Sequence, residues 1–171
     1  TRLVGSEMCI RDSFKVVGED AYFLAWTTTP WTLPSNVALC VNPVETYVKI
    51  KVGDEKFILA EALVETNFPD TEYEVVEKYV GTDLEYKEYE PLFKCTGDYV
   101  ASKGKKAHYL VCDNYVTMSD GTGIVHIAPA FGEEDANVGR NYDLPFVQFV
   151  NEKGELTEET PFCLLYTSDA A

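Results

Sequence analysis

The stretch from residue 27 to residue 36, Thr-Thr-Thr-Pro-Trp-Thr-Leu-Pro-Ser-Asn, concentrates side chains able to orient a small polar substrate and a water. Hydroxyls and an amide lie along a backbone that contains Pro30 and Pro34. Each proline fixes its own φ and pushes the preceding residue toward an extended conformation, so the hydroxyls are presented in one fixed arrangement. An ordinary Ser/Thr-rich loop between two strands has the same composition and remains the alternative.

A second polar motif runs from residue 120 to residue 135. Gly121 and Gly123 predict positive φ or close backbone approach before a strand, but they do not form a dinucleotide fingerprint, which needs a third glycine and a helix. The strand should carry His126 to one end of the sheet, and the next turn should return Asp135 toward it. Taken singly, such a histidine is often a structural residue and such an aspartate often a helix cap.

The elements that must position these motifs are mostly strands. Residues 46–52 alternate, Gly53 and Asp54 predict a two-residue type II′ turn, and residues 56–59 return to complete a hairpin. The segment 85–89 is dense in Glu and Tyr and is predicted to be solvated. Further strands are predicted at 22–26, 37–41, 73–80, 108–111, 123–127 and 146–150, a turn at 151–154, and short helices at 61–66 and 132–140.

This pattern predicts a strand-rich α/β fold, with a curved or closed β-barrel-like sheet and short helices at its periphery. The 171 residues correspond to one domain or most of one. We expect the domain to span residues 14–162. Residues 1–13 and 163–171 lack periodicity and are predicted to be non-native tails.

Composition excludes several classes of function. The net charge of -15 and pI of about 4.4 argue against a surface that holds nucleic-acid backbone, since residues 103–106 form only a small basic patch. Apolar runs are too short to span a membrane. The five cysteines lack the spacing of a zinc site, so no metal is expected, and Cys40 is predicted to be a buried thiol in a reducing cytosol.

Together the two motifs resemble the editing insertion of isoleucyl-tRNA synthetase, the connective polypeptide that interrupts a class I catalytic domain. The resemblance covers residues 14–162. Leucyl and valyl enzymes typically carry arginine at the position of Thr29, and the valyl enzyme usually has lysine at that of His126. The motif pair is therefore specific to the isoleucyl branch.

The resemblance implies hydrolytic editing of valyl-tRNA(Ile), and also clearance of valyl-adenylate, within an ATP-dependent ligase of the cytoplasm. A missing methylene is worth only about 1–3 kcal/mol in an apolar pocket, a known limit of this class of enzyme. A second site therefore hydrolyses the mischarged product. The implied partners are the valine-bearing 3′ end of the tRNA and the rest of the synthetase, with no cofactor in this domain.

The resemblance also implies roles for individual residues. Asp135 would bind the α-ammonium of the substrate, and His126 would border the amino-acid side chain or orient water. Asn36 would hold the pocket or the tRNA end, and Trp31 would contact the terminal adenosine, with a purely structural aromatic as the alternative. The threonines that would line the catalytic pocket are Thr27, Thr28 and Thr29. A non-catalytic structural or binding fragment of the same insertion is the alternative.

Overall fold

The computed structural model describes residues 13–27, 33, 35–91, 104, 106–119, 121–130 and 132–145, and the backbone alone at 2–4 and 9–12. Strands dominate this part of the chain. They are β1 (Arg2–Val4), β2 (Cys9–Lys15), β3 (Tyr22–Thr27), β4 (Ala38–Val41), β5 (Thr46–Val52), β6 (Glu55–Ala60), β7 (Glu74–Val80), β8 (Tyr109–Cys112) and β9 (Ile124–Ile127). The helices are a 3-10 turn (Glu61–Leu63), α1 (Val64–Asn67), α2 (Gly81–Leu84) and α3 (Glu133–Asn141).

All nine described strands belong to one sheet, in the order β7-β5-β6-β3-β9-β4-β8, with β2 also paired to β3 and β1 to β2. The sheet branches at β3. Tyr22 and Phe23, at its start, pair with β6, whereas Trp26, near its end, pairs with Val125 of β9. One branch extends through the β5–β6 hairpin to the edge strand β7, and the other curls through β9, β4 and β8.

The curled branch closes on itself through residues 86–90. In this segment Glu88 forms a bridge with Tyr109 of β8, and Tyr89 forms a bridge with Val16, the residue after β2. Because β2 pairs with β3, the ring β2–β3–β9–β4–β8 is completed by 86–90. The barrel-like sheet predicted from sequence is confirmed. The prediction of a solvated segment at 85–89 is wrong for Tyr89, which is buried because it faces the barrel interior.

Alternate residues of the ring strands fill the barrel. Phe14, Phe23, Leu39, Leu110 and Ile124 belong to one buried cluster together with Tyr89. On the outside of β4, β8 and β9, a second cluster includes Val138 of α3, and a third lies between the β5–β6 hairpin and α1. Because β4, β8 and β9 are buried on both faces, their ends are rigid positions on which a site can be built.

Most predicted elements are confirmed. The hairpin has Val52 paired with Glu55 and positive φ at Gly53 and not at Asp54, as a type II′ turn requires. The helix predicted at 132–140 is α3, with acidic residues in its first turn and Arg140 in its last. The predicted strand at 146–150 and turn at 151–154 lie outside the described residues.

The two predicted tails differ in what can be said of them. The backbone of Ile10–Ser13 pairs with β3. This part of the predicted N-terminal tail, residues 1–13, therefore takes part in the sheet. The non-native origin of residues 1–13 and 163–171, and the domain limits 14 and 162, stay predictions.

Candidate functional site

Strand directions bring the two polar motifs to one end of the barrel. β3 and β9 are parallel, β4 runs antiparallel to β9, and β8 runs parallel to β4. The ends of β3 and β9 therefore lie where β4 and β8 begin. Thr27, the last residue of β3, and His126 of β9 share this end with Asn36 and His108, which lie just before β4 and β8.

Thr27 and His126 occupy neighbouring strand positions. Trp26 is the partner of Val125, so the following residues, Thr27 and His126, are side by side in the parallel register. Both continue the alternation of residues that face the interior, after Ala25 and Ile124. Both are also buried, with 7% and 6% of their surface exposed. A hydroxyl and an imidazole thus lie next to each other at the end of the core.

Asn36 is the centre of the polar network at this end. Its Nδ2 donates to the carbonyl oxygen of Ala38 at 2.8 Å and lies 2.7 Å from Nδ1 of His126. Its Oδ1 accepts a hydrogen bond from the Tyr89 hydroxyl at 2.5 Å. His108 Nε2 lies 3.1 Å from the Asn36 carbonyl oxygen. The two histidines of the chain therefore both contact one buried asparagine.

Burial keeps both histidines neutral. Desolvation lowers the pKa of His126 to about 4 and that of His108 to about 4. A hydrogen bond with the Asn36 carbonyl opposes the shift at His108, but the desolvation effect is larger. Neither ring carries a charge at neutral pH, so the network consists of uncharged donors and acceptors.

Asp135 lies in the first turn of α3, and its carboxylate turns back onto the residue that follows β9. Its Oδ2 accepts a hydrogen bond from the backbone N–H of Ala128 at 3.0 Å. Burial raises its pKa, and the nearby charge of Glu134 adds to the rise. Within the described part of the chain, no lysine or arginine pairs with this carboxylate. The site thus holds a half-buried carboxylate whose described hydrogen-bond partner is a backbone N–H.

Gly121 lets the loop before β9 lie against Trp26. Its φ is +72°, and a Cβ added there would lie 2.1 Å from Trp26 Nε1. The prediction of close backbone approach at this glycine is confirmed. Positive φ at Gly123, +78°, agrees with the same prediction.

Sequence reasoning placed only part of this site. Thr27, Asn36, His126 and Asp135 lie at the barrel end, whereas Thr28, Thr29 and Trp31 lie outside the described residues, and their roles stay predictions. Sequence reasoning missed Tyr89 and His108. The segment of Tyr89 resembles a solvated one in composition, and its burial depends on ring closure.

Other classes of site find no support in the described residues. No group of three or more His, Cys, Asp or Glu residues there is arranged to hold a metal ion. Cys40 is fully buried, as predicted, and burial raises its pKa well above the usual range of a thiol. No described helix is long and apolar enough to cross a membrane.

Comparisons with known proteins agree with the resemblance that the two motifs indicate. No family model matches the chain. Isoleucine–tRNA ligase of Clostridium acetobutylicum is 52% identical over 147 residues, which are 85% of this chain and 14% of that protein. The crystal structure of GlLeuRS-CP1 superposes with a TM-score of 0.64 at 18% identity, over 78% of this chain and 59% of the other. The editing domain of P. knowlesi cytosolic leucyl-tRNA synthetase gives 0.61 at 14% identity, over 82% and 66%.

The fold is therefore that of the editing domains of aminoacyl-tRNA synthetases. By sequence the chain is homologous to an internal segment of isoleucine–tRNA ligases. It spans only 13–15% of the length of the curated relatives it matches.

Proposed function

We propose that this chain is a hydrolytic editing domain of an isoleucyl-tRNA synthetase, and that it cleaves the ester joining valine to the 3′-terminal adenosine of isoleucine tRNA. Water attacks the ester carbonyl, the bond from the acyl carbon to the ribose oxygen breaks, and the ribose oxygen takes up a proton. Valyl-adenylate, which carries the same valyl group, is a second substrate in this proposal. The whole synthetase acts in the cytoplasm.

The observation that carries the proposal is the carboxylate of Asp135 at the barrel end that also holds Thr27, Asn36 and His126. An aminoacyl ester has a free α-ammonium, and a half-buried carboxylate without a described cationic partner is a strong acceptor for it. The ammonium would provide a counter-charge to this carboxylate. Since the carboxylate is anchored by Ala128, the bound amine would be held at a fixed distance from β9.

The remaining groups suit positioning of water and ester rather than covalent catalysis. Thr27 offers a hydroxyl, and Thr28 and Thr29 would add two more along the same segment. Trp31 would contact the terminal adenosine. Holding the reacting atoms in one geometry is the main source of rate in this proposal, with hydroxyls of the substrate sharing in proton transfer. His126 would border the valine side chain and help exclude isoleucine.

The alternative is a fragment that keeps the fold but only binds or supports structure. Deacylation of valyl-tRNA(Ile) by an excess of the chain, compared with Asp135→Ala and with the exposed neighbour variant Glu134→Ala, separates the two. We expect Asp135→Ala to lose deacylation activity and Glu134→Ala to keep it. A wild-type chain that hydrolyses the ester no faster than buffer supports the alternative, and equal rates for wild type and Asp135→Ala remove Asp135 from the mechanism.

The acidic balance fits a domain that binds only the single-stranded 3′ end of the tRNA. With a net charge of -15, the chain should repel the phosphate backbone, and the rest of the synthetase would hold the tRNA body. We therefore expect this chain alone to bind tRNA weakly and to edit slowly. Nanomolar binding of uncharged tRNA at physiological salt contradicts that expectation.

A further inference from the structure

The orientation of the Asn36 amide is fixed by its neighbours. A backbone carbonyl oxygen only accepts hydrogen bonds, so the side-chain atom 2.8 Å from the Ala38 oxygen must be the amide nitrogen. The amide oxygen then faces Tyr89, whose hydroxyl donates to it at 2.5 Å. The opposite orientation would place two acceptors against each other at Ala38.

The amide orientation in turn decides which nitrogen of His126 carries the proton. The Asn36 nitrogen has two hydrogens, one directed at Ala38 and one available for the imidazole 2.7 Å away. Nδ1 of His126 must therefore accept, because a proton on Nδ1 would meet another N–H. A neutral imidazole has one donor and one acceptor nitrogen, so the proton lies on Nε2.

Resting on the proposed function, we propose that Asn36 and Tyr89 are positioning residues that hold His126 in the Nε2–H tautomer, so that the ring enters the editing reaction as a hydrogen-bond donor through Nε2 and not as a base. The Ala38 carbonyl and the Tyr89 hydroxyl orient the Asn36 amide from its two ends, and the amide orients the proton of His126. Neither nitrogen of the resting ring can then take a proton from water. The depressed pKa of His126, caused by burial, agrees with a neutral ring.

His108 supports the same arrangement from the backbone side. Its Nε2 faces the carbonyl oxygen of Asn36 at 3.1 Å and so must also be a donor, and its ring packs edge-on against Tyr89 with centroids 5.7 Å apart. Asn36 is thus held through its backbone by His108, through its amide oxygen by Tyr89 and through its amide nitrogen by Ala38.

The first test is nitrogen NMR of the labelled chain, which distinguishes protonated from unprotonated imidazole nitrogens. The chain has two histidines, so the spectrum of His126→Gln assigns the remaining signals to His108. We expect wild-type His126 to show unprotonated Nδ1 and protonated Nε2 at neutral pH. In Asn36→Asp a carboxylate faces the ring, and Nδ1 should become protonated. A protonated Nδ1 in the wild type, or an unchanged tautomer in Asn36→Asp, overturns the proposal.

The second test separates positioning from structural support. Tyr89→Phe removes the donor to Asn36, whereas Tyr109→Phe removes another buried hydroxyl, one that donates to the Tyr142 carbonyl outside this network. We expect Tyr89→Phe to give a mixed tautomer signal and about 10-fold slower deacylation, the equivalent of one neutral hydrogen bond. Tyr109→Phe should change neither. An unchanged tautomer in Tyr89→Phe removes Tyr89 from the proposal.

The two proposals can fail separately. The NMR signature reports the proton position without any substrate, so the expected tautomer in a chain that does not deacylate valyl-tRNA would contradict the proposed function alone. Conversely, normal deacylation with a protonated Nδ1 would contradict the tautomer alone.

Discussion

The Oδ2 atom of Asp135 accepts a hydrogen bond from the backbone N–H of Ala128 at 3.0 Å, which ties the first turn of α3 to the end of β9. Ala128 lies two residues after His126 on the same segment. The carboxylate and the imidazole are therefore positioned by one strand end, and a shift of α3 relative to the barrel would break this hydrogen bond.

This relationship predicts opposite effects of Asp135→Asn on stability and activity. The asparagine oxygen can still accept from Ala128 but buries no charge, so the free energy of unfolding should stay equal or rise by up to about 1 kcal/mol. Deacylation of valyl-tRNA should fall about 10- to 100-fold, the equivalent of one hydrogen bond to a charged group. Urea unfolding and single-turnover deacylation measure the two effects.

A substrate analogue provides the control for this role. N-acetyl-valyl-tRNA has no α-ammonium, so the wild-type chain should hydrolyse it slowly, and Asp135→Asn should slow its hydrolysis no further. If Asp135→Asn lowers both rates by the same factor, the carboxylate acts on something other than the amine.

The buried histidines predict that stability falls in mild acid. Their pKa values are about 4 in the folded chain, below the ordinary 6.5, so between those pH values the unfolded chain binds protons that the folded chain does not. Stability is therefore complete above pH 6.5 and is lost as pH falls toward 4, by on the order of 3 kcal/mol for either histidine. The two share Asn36, so their losses should not add.

Urea unfolding at pH 7, 5.5 and 4.5 measures this dependence. His108→Gln keeps a donor for the Asn36 carbonyl but cannot be protonated in this range, so its unfolding free energy should fall less steeply. A raised pKa at Asp135 acts in the opposite sense, since its buried charge is neutralised as pH falls. If the unfolding free energy of His108→Gln depends on pH as steeply as that of the wild type, the loss of stability in acid does not come from His108.

Gly121→Ala should destabilise the chain more than Gly18→Ala. Both glycines have positive φ, +72° and +80°, which costs a residue with a Cβ roughly 1–2 kcal/mol. Only at Gly121 would the Cβ also collide, with Trp26 Nε1 at 2.1 Å, whereas the space around Gly18 is open. Overpacking adds about 1–3 kcal/mol at Gly121. Equal losses in thermal or urea unfolding would mean that the loop does not lie against Trp26.

The ion pair between Lys49 and Glu19 predicts an asymmetric response. Lys49 is buried, and its Nζ lies 2.6 Å from Glu19 and 3.5 Å from Glu77. Glu19→Gln leaves a buried cation poorly compensated and should cost on the order of 1–3 kcal/mol, whereas Lys49→Met should cost less because it removes the charge itself. Urea unfolding of the two variants compares them, and a larger loss for Lys49→Met would contradict this account.

Local sequence patterns were enough to predict the elements that form within short stretches of chain. The hairpin follows from Gly53 and the alternation around it, and α3 follows from the acids after Gly132 and the arginine near its end. The resemblance of the two motifs also assigned Asn36, His126 and Asp135 to one site. In each case a few neighbouring residues carry the signal.

Only the tertiary structure decided how those residues act on one another. The contact of Asn36 with His126 joins positions 90 residues apart, and that with Tyr89 joins positions 53 apart. Ring closure by residues 86–90 buries Tyr89 in a segment whose composition indicates solvent exposure. A hydrogen bond depends on distances of a few tenths of an ångström between strands distant in the chain, so residue types alone fix neither the contacts of the Asn36 amide nor the hydrogen bond from Ala128 to Asp135.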